Sequence, residues 1–206
     1  MNTIVILLLC ALVSSTSHAA NLQEFCVADL KGPDSPSGYQ CKPANRVTAQ
    51  DFKCTLGPGI SIPDNVKIYP CTVRQVHSLN GLGISAGRVE IEKGGSFPVH
   101  THAANEILIM VKGEMTVGIL TPTRAFVNRV KEGELVVIPD ALQHYLVNSG
   151  NEKAVAYATY SSPNPRIDFL YQILFANNVS TATIAQTTFL EEPQVRRLKA
   201  RFGGTN

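Results

Sequence analysis

Apolar residues fall into three regimes along this chain. From about residue 81 to 161, short apolar or alternating runs are set off by glycine, proline and asparagine: "GISAGRVEI", "EILIMV", "EMTVGIL", "AFVNRV", "ELVVIP", "HYLVNS" and "AVAYATY". Runs of strand length, separated by turn residues at regular spacing, predict an all-β sandwich or barrel. Ahead of them, "LKGPDSPSGYQCKPAN" (30–45) is rich in Pro, Gly and Ser and predicts an irregular arm. After "SSPNP" (161–165) the period changes. "TATIAQTTF" has helical composition, and Val195, Leu198 and Phe202 in "PQVRRLKARF" recur at i, i+3 and i+7, which is one helix face. Thr188, ahead of "FLEE", is expected to cap a helix start there. The chain thus reads as a β domain followed by a small helical tail, with no internal repeat.

The first charged side chain is Glu24, and the preceding "MNTIVILLLCALVSSTSHAANLQ" holds an apolar stretch from about Ile4 to Val13 followed by small residues. That is the pattern of a secretory signal peptide, too short to span a bilayer. Ser17 and Ala19 meet the small-residue rule for cleavage, so the mature chain is expected to begin at Ala20, with cleavage between Ala20 and Asn21 as the alternative. No later segment reaches membrane-spanning length without a charge. The boundaries that follow are signal peptide 1–19, N-terminal arm 20–60, β-barrel 61–165 and helical extension 166–206.

Charge and cysteine content narrow the class further. The formal net charge is +2, from 18 Lys+Arg against 16 Asp+Glu, with no basic cluster, which argues against nucleic acid or an anionic membrane surface as partner. Cys10 leaves with the signal, so the mature chain keeps Cys26, Cys41, Cys54 and Cys71. An even number in an oxidising compartment reads as disulfides, for which four cysteines allow three connectivities. Nearest-neighbour pairing, Cys26–Cys41 and Cys54–Cys71, is preferred over the alternatives, buried free thiols among them. All four lie in the first third of the chain, where they would staple the arm rather than build the core.

Candidate chemistry sits in "GGSFPVHTHAANEILIMVKGE" (94–114). Side chains at i and i+2 of a strand share a face, so His100 and His102 point the same way. Glu106 has the same parity and joins them if 103–105 continue the strand without a bulge. Farther on, "GELVVIPDALQHYLVN" places His144 just after a Pro139-Asp140 turn, where a second strand can bring it to the same cavity. Of the histidines left in the mature chain, only His77 lies outside this group, and it reads as a surface or loop residue. Three imidazoles and one carboxylate form a nitrogen and oxygen site for a divalent first-row metal, with no thiolate to select a softer ion. Manganese(II), iron(II) and zinc all suit that set, and octahedral geometry would leave two positions for water or substrate.

These residues resemble the germins and germin-like proteins, plant members of the cupin superfamily. Gly94, His100, His102, Glu106 and Gly113 match the first family box, and Gly133, Pro139, His144 and Asn148 match the second, where Ala141 replaces the usual glycine. The resemblance extends from "EFCVADL" (24–30) through "NGLGIS" (80–85) and "SSPNP" to the terminal "FGGTN", and is strongest toward the auxin-binding-protein-like group. It implies a β jelly-roll barrel with a small C-terminal helical extension, manganese held at His100, His102, Glu106 and His144, and a homo-oligomer, a hexamer built as a trimer of dimers. It also implies a Cys26–Cys41 disulfide and secretion to the apoplast or cell wall, while Cys54 and Cys71 are extra to the usual pattern. Asn178, in Asn178-Val179-Ser180, is an N-glycosylation acceptor expected in a secreted chain. Lys112-Gly113-Glu114 resembles a surface tripeptide proposed for adhesion in the family, but between two strands it reads most simply as a turn.

Three activities compete within that resemblance. Oxalate oxidation, in true germins, uses two asparagines near the metal; the matching positions here hold Gly87 and Phe97, neither of which can donate a side-chain hydrogen bond to a small dianion, so this activity is disfavoured. Superoxide dismutation, which the family also implies, needs only a redox-active metal, an open position and access for a small anion. Metal-dependent binding of a small carboxylate such as auxin is the alternative, and Phe97 beside the metal would favour an aromatic acid.

Overall fold

The computed structural model describes residues 24–206; the expected signal peptide and its cleavage site lie outside them. Two antiparallel sheets face each other. One has six strands in the order β10 (Leu135–Ile138), β7 (Glu106–Lys112), β12 (Ala154–Tyr160), β5 (Ser85–Ile91), β4 (Val66–Cys71) and β3 (Ile60–Ile62). The other has five, in the order β13 (Asp168–Phe169), β6 (Ser96–Thr101), β11 (Gln143–Asn148), β8 (Glu114–Leu120) and β9 (Ala125–Lys131). Strands adjacent in sequence repeatedly lie in opposite sheets, as in a jelly roll. The predicted β architecture is therefore the observed one.

Alternation decides which residues fill the space between the sheets. In β7, Glu106, Leu108 and Met110 are buried while Ile107, Ile109 and Val111 face outward and are exposed. Ile91, Leu108, Met110, Met115, Ile138 and Leu146 are among the largest fully buried side chains, each contributing about 1.5–3 kcal/mol of hydrophobic stabilisation. The "GG" preceding β6 is required sterically. Gly94 sits at φ +74°, and a Cβ on Gly95 would come within 2.6 Å of the Asp64 carbonyl oxygen.

Both expected disulfides are formed, with Cα separations of 4.9 Å for Cys26–Cys41 and 6.0 Å for Cys54–Cys71. The first closes the arm, which carries a short hairpin, β1 (Asp34–Ser35) and β2 (Gly38–Tyr39), fastened by the Asn80 amide to both backbone groups of Tyr39. The second reaches Cys71 at the end of β4, so it ties the arm to the barrel rather than to itself.

The tail folds as α1 (Leu170–Phe175), α2 (Thr181–Thr188) and α3 (Glu192–Phe202), closed around Phe175, Ile184 and Val195. Thr188 is not a helix start, which corrects the sequence expectation. It is the last residue of α2, its hydroxyl donates back to the Ile184 carbonyl, and Phe189 follows in the left-handed region at φ +60°. The last helix is capped instead by Glu191, whose N–H donates to the Gln194 side chain. Lys199 is buried on that helix because its ammonium donates to the carbonyls of Asn177 and Val179.

Candidate metal centre

Two sheets, not one strand, assemble the constellation. His100 lies in β6 directly opposite His144 in β11, which places both imidazoles on the inner face of the five-stranded sheet. β6 ends at Thr101, and residues 102–105 bend across to the other sheet. Glu106 therefore approaches from β7, the opposite wall, and not from a continued strand. His102, in the crossing segment, completes the cluster. His100, His102, Glu106 and His144 are all at most 3% exposed.

Hydrogen bonds at the back of each ring fix what its front presents. Nδ1 of His100 lies 2.8 Å from the Pro98 carbonyl oxygen, Nδ1 of His144 3.0 Å from that of Leu142, and Nδ1 of His102 against that of Arg166. A carbonyl can only accept, so each Nδ1 carries the proton and each neutral ring leaves Nε2 as a bare lone pair. The histidine ligand atoms lie within 4.8 Å of one another. Glu106 Oε2 stands 3.4 Å from His102 Nε2 and 3.3 Å from His144 Nε2, yet all three of these buried atoms lack a hydrogen-bond partner. Converging buried acceptors without a donor are unfavourable, and a cation is what relieves them.

Electrostatics favour the neutral form of two of the rings, His100 and His102. Burial pushes the His100 imidazole well below its ordinary range, and the neighbouring His144 and His102 add to the shift. Burial also lowers His102, opposed by the Glu106 carboxylate and the Arg166 carbonyl. A neutral imidazole is the form that binds a metal.

Beside the cluster is a cavity of ≈ 70 Å³ that His102 and Glu106 share with Ile68, Val89, Phe97 and Ile167. The Phe97 ring centroid lies 4.3 Å from that of His100, and Gly87 lines the same cavity.

The chain matches the cupin family model, described as "Cupin", over residues 56–196. It is 40% identical over 203 residues to auxin-binding protein ABP19b of Prunus persica, covering 95% of each chain. It is 37% identical over 197 residues to germin-like protein subfamily 3 member 3 of Arabidopsis thaliana, covering 93% of each. This chain belongs to the germin-like proteins of the cupin family. Among solved structures, an oxalate oxidase in complex with the substrate analogue glycolate superposes with a TM-score of 0.82 at 33% identity, covering 88% of this chain and 96% of that one.

Within this germin-like protein the remaining sequence candidates lie apart from the cluster. His77 faces Asp51 on the arm, 3.8 Å away, as a residue outside the site should. Asn178 is exposed in the turn between α1 and α2. Gly113 makes the sharp passage from β7 to β8 at φ +72°, with Lys112 paired to Glu152 and Glu114 to Arg129 on the surface. Ala141 keeps the turn that its family's glycine would make, at φ +62°. Its N–H donates to the His102 carbonyl, tying the two boxes together.

Sequence reasoning missed Tyr160. It is the residue of β12 directly opposite Glu106 in β7, and its ring centroid lies 4.9 Å from that of His102. The signal was present in "AVAYATY": Ala154, Ala156 and Ala158 are buried, so the same parity carries Tyr160 inward. Burial, with the Glu106 charge adding, pushes its phenol well above the ordinary range, so it is a neutral hydroxyl.

Proposed function

We propose that this germin-like protein is a secreted manganese-binding cupin that dismutates superoxide to hydrogen peroxide. His100, His102 and His144 hold the ion through Nε2 and Glu106 holds it through Oε2. The observation that carries the reading is the set of partnerless buried atoms, Nε2 of His102 and His144 and Oε2 of Glu106, with the two rings held in place by the hydrogen bonds behind them. A redox-active divalent ion there supplies alternate electron uptake and release, so that one superoxide is oxidised to dioxygen while a second, with two protons, is reduced to hydrogen peroxide. The protein contributes imidazole ligands and one carboxylate, exclusion of bulk water and a small cavity beside the ion. The donor set also suits iron(II) and zinc, and zinc would not support the redox cycle.

Oxalate oxidation is disfavoured, because the dianion would meet Phe97 and the backbone of Gly87 where hydrogen-bond donors are needed. The apolar lining around Phe97 favours a second reading, metal-dependent binding of a small auxin-like carboxylate, consistent with the name of the peach relative. Two disulfides fit an oxidising extracellular location such as the apoplast, and the exposed sequon at Asn178 fits glycosylation there. The outward face of the six-stranded sheet exposes Ile107, Ile109, Val111, Leu135, Val137 and Tyr157, which supports burial against a second copy in a homo-oligomer, taken as the hexamer of the family.

Superoxide decay tests the activity, with metal-quantified secreted protein beside His102→Ala at equal concentration. Fast decay by the manganese-containing wild type and none above background by the variant is expected. Equally slow decay by both, with the wild type fully loaded, would eliminate dismutation and leave ligand binding.

A further inference from the structure

Beyond the metal-facing atoms of His102 and Glu106, the cavity beside the cluster is lined by the phenol of Tyr160. Tyr160 pairs across strands with Glu106, so the two side chains lie adjacent on the inner face, and its ring stands beside His102. Its hydroxyl makes no hydrogen bond to protein among the described residues, although Tyr160 packs against the barrel core and lines the cavity. Other side chains bordering this space are engaged elsewhere. The Arg88 guanidinium pairs with Glu90 at 2.6 Å and lies over Tyr69, its Nε buried without a hydrogen-bond partner, and Thr72 Oγ1 donates to Gln75 at 2.8 Å. Tyr69 lies under the Lys67 and Arg88 cations on the other face of β4. The rest of the lining is largely hydrocarbon, including Ile68, Val89, Phe97 and Leu146.

Resting on the metal-centre reading above, we propose that Tyr160 is a specificity-determining residue: its hydroxyl donates a hydrogen bond to a small oxygen monoanion held at the metal, and the apolar wall selects an anion with a single charged end. A neutral phenol is a donor that a carboxylate or superoxide oxygen can satisfy. A second charge on the ligand would be driven against hydrocarbon with no partner, which is strongly unfavourable. The selected class is thus superoxide or a short monocarboxylate, and dianions are excluded by the same wall.

The test uses the full-length secreted protein loaded with manganese, wild type beside Tyr160→Phe, a variant that keeps the ring and its packing. Binding of two probes is titrated. Acetate leaves an oxygen free to accept from the phenol. Imidazole binds a metal through one nitrogen and leaves only an N–H, so it has nothing to accept with. A hydrogen bond to a charged group predicts acetate weakened about tenfold in Tyr160→Phe. Imidazole affinity and manganese content should match the wild type. Equal acetate affinity in the two proteins, or the same loss for acetate and imidazole, overturns the proposal. A wild type that holds no manganese after dialysis overturns the metal-centre reading and this proposal together, and that failure is read from metal content alone.

Discussion

Glu106→Gln should move the stability of the metal-free and the metal-loaded protein in opposite directions. In the metal-free protein at pH 8, Glu106 Oε2 faces His102 Nε2 at 3.4 Å and His144 Nε2 at 3.3 Å, and none has a donor. The ring protons are committed behind, to the carbonyls of Arg166 and Leu142. A buried polar atom left unsatisfied costs about 1–3 kcal/mol. Glutamine keeps the shape, removes the charge and places two N–H donors where two lone pairs wait. Recovering one such penalty raises the melting temperature of a domain this size by roughly 2–12 °C, at about 2–4 °C per kcal/mol. With metal the sign reverses. Wild type at a metal concentration one hundred times its Kd gains about 2.7 kcal/mol, while a variant whose neutral amide no longer holds the ion gains almost none. Thermal melts in chelator and in excess manganese should therefore cross, with Glu106→Gln above wild type in the first and below it in the second. A variant that melts below wild type in chelator would refute the argument that unpaired acceptors converge in the metal-free protein.

Three further perturbations probe the frame around the centre. Ala141 sits at φ +62°, a conformation costing a non-glycine residue about 1–2 kcal/mol, so Ala141→Gly should raise the melting temperature by a few degrees after glycine's greater freedom in the unfolded chain is subtracted, with metal content unchanged. Removing the Cys54–Cys71 bridge, whose cysteines are 17 residues apart, by Cys54→Ser with Cys71→Ser should cost about 3 kcal/mol in thermal or denaturant unfolding and leave manganese binding intact. Ile109→Glu on the exposed apolar face should shift the particle mass measured by light scattering from oligomer toward monomer without loss of metal.

Period and parity carried most of the barrel. Alternation in β7 and the small-residue parity of β12 sort inward from outward positions directly, because a pleated strand has only two faces. His100, His102 and His144 were legible as a cluster since a nitrogen donor set at strand spacing has few other uses. What the one-dimensional pattern could not hold was the change of sheet between Thr101 and Glu106: parity counts faces within a strand and says nothing about a bend that carries the chain to the opposite wall. Thr188 failed as a cap for a similar reason, since its hydroxyl found the Ile184 carbonyl of its own helix instead. Tyr160 escaped notice because tyrosine at a strand end is ordinary in sequence, and only the cross-strand register with Glu106 brings it to the centre.

Metal analysis of the secreted wild-type protein, purified without chelator and without added metal, tests the four-ligand centre most directly when run beside His144→Ala. About one manganese per chain in the wild type and near none in the variant is the predicted result. A wild type free of bound metal, or a variant that retains as much as the wild type, would contradict it.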